Sequence, residues 1–500
     1  MLKSYKMSFG SMSSSAKPGS ANEYHDLAIS ADQLRSKLSS RDEPLMIFDI
    51  GNENRYKREH IPGSRFIVCN QETINTTLPK MPKGIDIILV GEDENYTKEM
   101  AQMTRDKAGL QTRYFQGGLA AWKWEKTAAL DPRITANDLK HALDQGKLNR
   151  EIFLLDVREP DEFKNWNIDS SENIPLGQIP QSIDRIPKDK EIVTICPAGN
   201  RSGMVTLMLE RLSYNVKTLE DGLTSWSSAY ERVARIFDVG DGKRVQIVQL
   251  RRIGKGCLSY IIESDYEAAV IDPLLPIEDY LGIAEGEMNA KITKVMDTHL
   301  HADHVSGAKE LFKMAKAELY LSPYENYKEI CSFSRLNDRD VISIGSLPLQ
   351  VIYTPGHTEG SVSLWLGSKL LFTGDTLFVN NIGRPDLKEQ TEELASKLHA
   401  SIKGTIFRLP DETIILPAHH DSPVEADTFI EAQLGDIKSQ QNLQEIFGLQ
   451  KEPFVHRMNS ITMPTPPSYK EIMPMNKGEK EKPSLKEIHQ LEMGPNMCSV

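Results

Sequence analysis

The chain has 500 residues, 39% of them apolar, a formal net charge of −12 and an isoelectric point near 5.6. Such a length suggests about three domains with ordinary cores. The acidic balance argues against a nucleic-acid surface, and no apolar run approaches the roughly 20 residues that span a bilayer.

In chain order, residues 1–24 are rich in Ser, Gly and Lys without the apolar centre of a signal peptide, and are expected to form a disordered tail. Five cysteines (Cys69, Cys196, Cys257, Cys331, Cys498) contain no CxxC pair. An odd count in a long chain does not describe a disulfide framework, so a reducing, cytoplasmic setting is expected. From about Ala31 to Thr127, strand-like and helix-like patterns alternate, with Leu45-Met46-Ile47-Phe48 ending at Asp49 and Ile87-Ile88-Leu89-Val90 as a second buried strand. This is a parallel α/β pattern. The same order recurs from about Ile134 to Glu231: Ile152-Phe153-Leu154-Leu155 runs into Asp156-Val157-Arg158-Glu159, and Ile192-Val193-Thr194-Ile195 follows. The chain therefore contains an internal duplication. Arg133 and the stretch Phe237 to Lys243, with Gly240 and Gly242, mark the seams, giving domains at 25–130 and 131–238. His60-Ile61-Pro62-Gly63-Ser64, Gly117-Gly118-Leu119-Ala120-Ala121-Trp122 and Gly222-Leu223-Thr224-Ser225-Trp226 resemble landmarks of the rhodanese family.

The two copies differ after the second strand. In the second copy it runs into Cys196-Pro197-Ala198-Gly199-Asn200-Arg201-Ser202-Gly203 and then a helical pattern. A loop at a helix N-terminus points backbone N–H groups inward, which favours a thiolate and holds an anion. The resemblance implies a persulfide-carrying loop with Cys196 as nucleophile and Gly199 and Arg201 as parts of the cradle. The competing reading is a buried structural cysteine. The first copy has Val90-Gly91-Glu92-Asp93-Glu94 at this point. It lacks a nucleophile and carries the wrong charge, so it reads as a catalytically dead scaffold.

Seven of the twelve histidines lie between His299 and His420. Four strand-like runs end in Thr298-His299-Leu300-His301-Ala302-Asp303-His304, Thr354-Pro355-Gly356-His357, Thr373-Gly374-Asp375 and Pro417-Ala418-His419-His420. If these ends converge, imidazoles and carboxylates surround one centre, as a metal site requires. The order of these motifs resembles the metallo-β-lactamase superfamily. That implies an α/β chain whose third domain, 239–457, is an αββα sandwich with metal at one edge. Two ligand schemes are open. With two Zn(II) ions, His299, His301 and His357 hold one, Asp303, His304 and His419 the other, and Asp375 bridges. With one Fe(II) per chain, His299, His357 and Asp375 suffice. Asp272 either orders the site from behind the ligands or is a turn residue before Pro273.

Gly383-Arg384-Pro385-Asp386 resembles a segment of persulfide dioxygenases. In that family the arginine, here Arg384, holds the thiol carrier of the substrate. Ile382 stands where glutathione-using members have Cys, and His419-His420-Asp421 where they have His-Asp-Tyr. Residues 458–500, with Met463-Pro464-Thr465-Pro466-Pro467 and a charge-rich run at 477–482, are expected to form a partly disordered extension. The resemblance implies a cytoplasmic persulfide dioxygenase and sulfurtransferase. Its partners would be a low-molecular-weight thiol persulfide, dioxygen, and sulfite or thiosulfate, with neither nucleic acid nor membrane. A zinc thioester hydrolase of the glyoxalase II type and a non-catalytic sulfur-relay protein are the alternatives. The sequence leaves the thiol carrier and the oligomeric state open, a homo-oligomer included.

Overall fold

The computed structural model describes residues 27–40, 45–129, 132–240, 242–328, 332–386, 391–420, 424, 427–460, 465, 467–495 and 497–499. The expected N-terminal tail at 1–24 and Cys331 lie outside the described residues. The chain divides into two compact units, one ending at Leu223 and the other starting at Thr224.

The first unit holds two five-stranded sheets of identical topology. One orders its strands Ala28–Ile29, Thr112–Phe115, Asp86–Val90, Leu45–Asp49, Ser64–Phe66; the other runs Arg133–Ile134, Val216–Leu219, Glu191–Ile195, Ile152–Asp156, Glu172–Asn173. Every pairing in both is parallel. Leu45–Asp49, Asp86–Val90 and Ile152–Asp156 are buried at each position, the unbroken pattern of central parallel strands covered on both faces. Met46, Phe48 and Leu89 of the first copy share one buried cluster with Phe153, Leu155 and Ile192 of the second.

The second unit is a four-layered αββα sandwich. Its first sheet has seven strands, Tyr230–Gly240, Lys243–Arg252, Leu258–Ser264, Glu267–Ile271, Lys291–Met296, Glu318–Leu321 and Ser334–Arg335, in chain order. Its second has six, Val341–Ile344, Leu347–Tyr353, Val362–Leu366, Leu370–Gly374, Ile414–Pro417 and Ala432–Gln433. Alternation assigns the faces. Ile247, Tyr260 and Phe372 point between the sheets, where Tyr260 and Phe372 meet edge-on at 5.0 Å. Their neighbours Val248 and Ile261 point outward under Ala308 and Leu311, and Leu371 under Leu398 and Ile402.

Two sequence expectations change here. The strand Tyr230–Gly240 pairs along its length with Lys243–Arg252, so the expected seam at 238/239 falls inside a hairpin of the metal domain. Gly240 (φ 95°) and Gly242 (φ 71°) are hairpin residues in the left-handed region, where glycine carries no steric penalty. The extension expected to be partly disordered contains helices Pro467–Lys477 and Leu485–Leu491. Ile472, Met475 and Ile488 bury themselves in the outer core. Among the described residues no helix is long and apolar enough to cross a membrane.

Candidate metal centre and sulfur-carrying loop

Lys291–Met296, Leu347–Tyr353, Leu370–Gly374 and Ile414–Pro417 run toward the residues that line one edge of the sandwich. Past their ends, the loops turn His299, His357, Asp375 and His419 inward, each 1% exposed or less. Asp272, itself in a left-handed conformation (φ 51°), begins a chain of hydrogen bonds. Its Oδ1 accepts from the Thr298 amide at 2.7 Å and its Oδ2 from the Thr298 hydroxyl at 2.8 Å. The hydroxyl, its proton committed, faces His299 Nδ1 at 2.9 Å, which fixes that ring with Nδ1–H donating and the Nε2 lone pair free. Asp272 therefore orders the site, as one of its two sequence readings has it. His357 is set the same way, Nδ1 donating to the Arg384 carbonyl at 2.9 Å.

His299 Nε2 and His357 Nε2 each lie 3.5 Å from Asp375 Oδ2. None of these three buried atoms has a hydrogen-bond partner. Buried polar atoms are rarely orphaned, and three that converge as two imidazoles and a carboxylate fit a divalent cation. Burial lowers the His357 pKa to about 4 against the pull of Asp375, so its ring is neutral and ready to ligate.

The other candidate ligands are engaged differently. His419 lies between two carboxylates, with Nδ1 2.6 Å from Asp375 Oδ1 and Nε2 2.9 Å from Asp303 Oδ2. Both contacts are hydrogen bonds only for a doubly protonated ring. Burial opposes that charge, but Asp375 and Asp303 outweigh it and hold the pKa well above the ordinary value. Asp303 also faces His304 Nδ1 at 3.1 Å and accepts from the Cys257 thiol at 3.2 Å. His301 turns Nε2 onto Asp272 at 3.2 Å and does not join the His299, His357 and Asp375 group. Burial resists its protonation, yet Asp272 and Asp297 carry its pKa to about 9. Its Nδ1, like His304 Nε2, has no partner. His419 rather than His420 belongs to the clustered ligands.

Arg384 is 1% exposed. It grips Asp386 through two nitrogens, at 2.5 and 2.7 Å, and donates to the Met497 carbonyl at 3.1 Å. Residues of the extension that the sequence did not single out close over the metal loop. Glu492 accepts from Arg252 Nη1 and the Val305 amide, both at 2.6 Å, and Asn476 donates to the His301 and His304 carbonyls, both at 2.9 Å.

In the second rhodanese-like copy, Cys196 ends its strand 1% exposed, its thiol donating to Ser202 Oγ at 3.3 Å. The helix Asn200–Arg211 starts at Gly199 (φ 80°), whose left-handed turn favours glycine. Arg201 is bound to Glu162 through two contacts of 2.6 and 2.7 Å, so the cation expected to serve the loop has its own counter-charge. A second cation comes from the first copy. Arg65, 7% exposed, donates to the Gly199 carbonyl at 2.9 Å, and a Cβ on Gly203 would lie 1.7 Å from its guanidinium carbon. Burial, with Arg133 adding, lowers its pKa to about 10, leaving it charged at neutral pH. No local pattern marks Arg65, because its target is 134 residues away. In the first copy, a Cβ on Gly91 would lie 2.1 Å from Thr97 Oγ1, so the Thr97 side chain occupies the space a cysteine side chain would need. Asp93 is occupied as the N-cap of Glu94–Ala108, and Glu92 pairs with Arg55 at 3.0 Å.

Models of two families match this chain: the metallo-β-lactamase superfamily over residues 252–419, and the rhodanese-like domain over 30–125 and 135–229. The persulfide dioxygenase ETHE1 of Bos taurus is 26% identical over 240 residues, covering 47% of this chain and 89% of the relative. A hydroxyacylglutathione hydrolase of Aeromonas salmonicida is 34% identical over 163 residues, covering 32% of this chain and 59% of that relative. The solved structure of ETHE1 from Myxococcus xanthus is 31% identical, with a TM-score of 0.41, and covers 46% of this chain and 96% of that one. The chain is thus two rhodanese-like domains followed by a domain of the metallo-β-lactamase superfamily, with persulfide dioxygenases among its relatives.

Proposed function

We propose that the metal domain oxidises a low-molecular-weight thiol persulfide with dioxygen at a single iron held by His299, His357 and Asp375. The sulfur gains two oxygens, and water releases sulfite and the thiol. The observation that carries this reading is the orphaned trio: Asp375 Oδ2 and the two facing Nε2 atoms of His299 and His357 are buried without a partner and converge, whereas His419 is engaged with both Asp303 and Asp375 Oδ1. The remaining donor set, two imidazoles and one carboxylate, suits Fe(II) and leaves it open positions for a sulfur and dioxygen.

The chain's own residues supply the rest. Thr298 and the Arg384 carbonyl hold the two rings in the ligating tautomer. His419 holds a proton against Asp375 Oδ1 and keeps negative charge at the centre balanced. The Arg384 guanidinium, buried and paired with Asp386, would have to exchange that partner before it could hold an anionic group of the thiol carrier, as the sequence leads one to expect. In the second rhodanese-like domain, Cys196 exchanges sulfane sulfur with the thiol or sulfite produced, so that sulfite leaves as thiosulfate when persulfide is in excess. The first copy acts as scaffold.

The zinc thioester hydrolase reading has one specific observation in its favour: His301 Nδ1 and His304 Nε2 are also without partners. Single substitutions separate the two. His357→Ala should abolish oxygen uptake with a small persulfide. His304→Ala should leave most of it, since His304 is outside the one-ion set. Equal loss in both variants would favour a two-ion site.

A further inference from the structure

The sulfur-carrying loop is held at both ends, and the two holds come from different copies. At its start the Cys196 carbonyl accepts from the Leu223 amide at 2.9 Å, and a Cβ on Gly222 would lie 2.0 Å from that carbonyl oxygen. At its end the Gly199 carbonyl takes two donors, the Gly203 amide at 3.0 Å and Arg65 Nη2 at 2.9 Å. Arg65 lies on the strand Ser64–Phe66 of the first copy, which packs against the helix Asn200–Arg211 of the second.

Three features set this contact apart from ordinary packing between domains. The guanidinium fills a notch in the first turn of the helix: a Cβ on Gly203 would lie 1.7 Å from its carbon and 1.9 and 2.0 Å from its two terminal nitrogens. Glycine is a poor helix former, and here it keeps a place for the cation. The carbonyl that Arg65 holds already faces up the helix toward the Gly203 amide. A trans peptide sets C=O and N–H in opposite directions, so the hold sends the Asn200 amide out of the helix N-terminus, into the turn that Cys196 opens. Finally, burial and Arg133 lower the Arg65 pKa to about 10, and Cys196 is among the groups that pull it back up, which puts the cation within electrostatic reach of the sulfur. Arg201, the cation of the loop's own copy, is bound to Glu162.

We propose that Arg65 is a positioning residue for the second copy's anion cradle: the first copy, without a nucleophile of its own, completes the neighbouring loop so that it binds a dianionic sulfane-sulfur donor such as thiosulfate. The inference rests on the reading of Cys196 as the sulfur carrier. In loading, the Cys196 thiolate attacks the outer sulfur of thiosulfate. The donor's S–S bond breaks, an S–S bond to Cys196 forms, and sulfite leaves with the electron pair of the broken bond. The reverse steps turn sulfite into thiosulfate. Arg65 exchanges neither protons nor electrons. It fixes the Asn200 amide and adds positive charge where the donor's negative charge is present before the reaction begins, so its contribution falls on KM.

The test compares the wild-type full chain with Arg65→Gln, Gly203→Ala and the double variant, with folding checked by circular dichroism. Gly203→Ala keeps every charge and displaces the guanidinium from its notch. Mass spectrometry reads the gain of one sulfur on Cys196 after thiosulfate, and steady-state transfer to cyanide gives kcat and KM. The wild type should load. Each single variant should raise the thiosulfate KM about tenfold or more with kcat within about threefold. The double variant should stay within about threefold of the worse single one, because both substitutions remove the same contact. Either single variant decides alone should the other fail to fold. The proposal is overturned by a smaller rise in KM, by a loss carried by kcat alone, or by losses that multiply in the double variant. A wild type that forms no Cys196 persulfide overturns the sulfur-carrier reading, and this proposal falls with it. A wild type that loads beside variants with unaltered KM overturns the proposal alone.

Discussion

Glu492 is the test of whether the extension is part of the metal domain. Its carboxylate and the Arg252 guanidinium are 1% and 0% exposed, 2.6 Å apart, and its second oxygen takes the Val305 amide at 2.6 Å. Glu492→Gln keeps an acceptor for Val305 but strands the Arg252 charge in the interior. Breaking a buried pair by removing one partner costs about 3–5 kcal/mol. Glu492→Ala also orphans the Val305 amide, adding about 1–3 kcal/mol. At about 1.4 kcal/mol per decade, Glu492→Gln should raise local opening by roughly two to three and a half decades. Hydrogen–deuterium exchange on the metal-free chain should show this acceleration in peptides covering residues 298–306 and 467–495, with little change in the first unit. The reasoning fails if exchange in both peptides rises less than tenfold in a variant that keeps its circular dichroism. That result would mean Arg252 finds another partner, such as the Leu275 carbonyl now 3.4 Å from Nη2.

Three other outcomes follow from the same geometry. In the metal-free chain His357 and His304 titrate near 4 when folded, against 6.5 unfolded, so the unfolded state binds more protons in that interval and stability falls as pH drops from 6.5 toward 4. His301, raised to about 9, contributes fully below 6.5 and loses its contribution as pH rises through 9; thermal melting of the metal-free protein should decline on both sides, and a flat profile would contradict these environments. Arg65→Gln should lower thiosulfate-to-cyanide sulfur transfer by about one to two decades, in line with the roughly 1.5–3 kcal/mol of a charged hydrogen bond, and leave oxygen uptake unchanged. Cys196→Ser should keep oxygen uptake and shift the product from thiosulfate to sulfite; unchanged product and rate would make Cys196 structural.

What was legible in the sequence was what repeats locally. The strands Leu45–Asp49, Asp86–Val90, Ile152–Asp156 and Glu191–Ile195 stand where apolar runs placed them, and their common order made the duplication visible. His299, His357 and Asp375 were legible because each follows a strand-like run and a short turn, a pattern that brings side chains to one edge. Gly240 and Gly242 misled, since glycines between two segments look alike whether they join domains or close a hairpin. Arg65 and Glu492 were not legible. Their partners Gly199 and Arg252 are far away in sequence, and nothing in the local composition of either partner requires the other. The packing of the extension was not legible for the same reason: Ile472, Met475 and Ile488 are too sparse to suggest a core of their own, and they become buried only against an outer face that the sandwich provides.

The central claim is that a single ion at His299, His357 and Asp375 oxidises persulfide sulfur. Its most direct measurement is on the anaerobically iron-loaded full chain, with metal content, oxygen consumed and sulfur products determined on one sample given a small thiol persulfide. The account predicts one iron per chain and one dioxygen consumed per persulfide turned over to sulfite and thiol, with all uptake lost in His357→Ala. Two zinc ions per chain, hydrolysis of a thioester and no oxygen uptake with iron would contradict it.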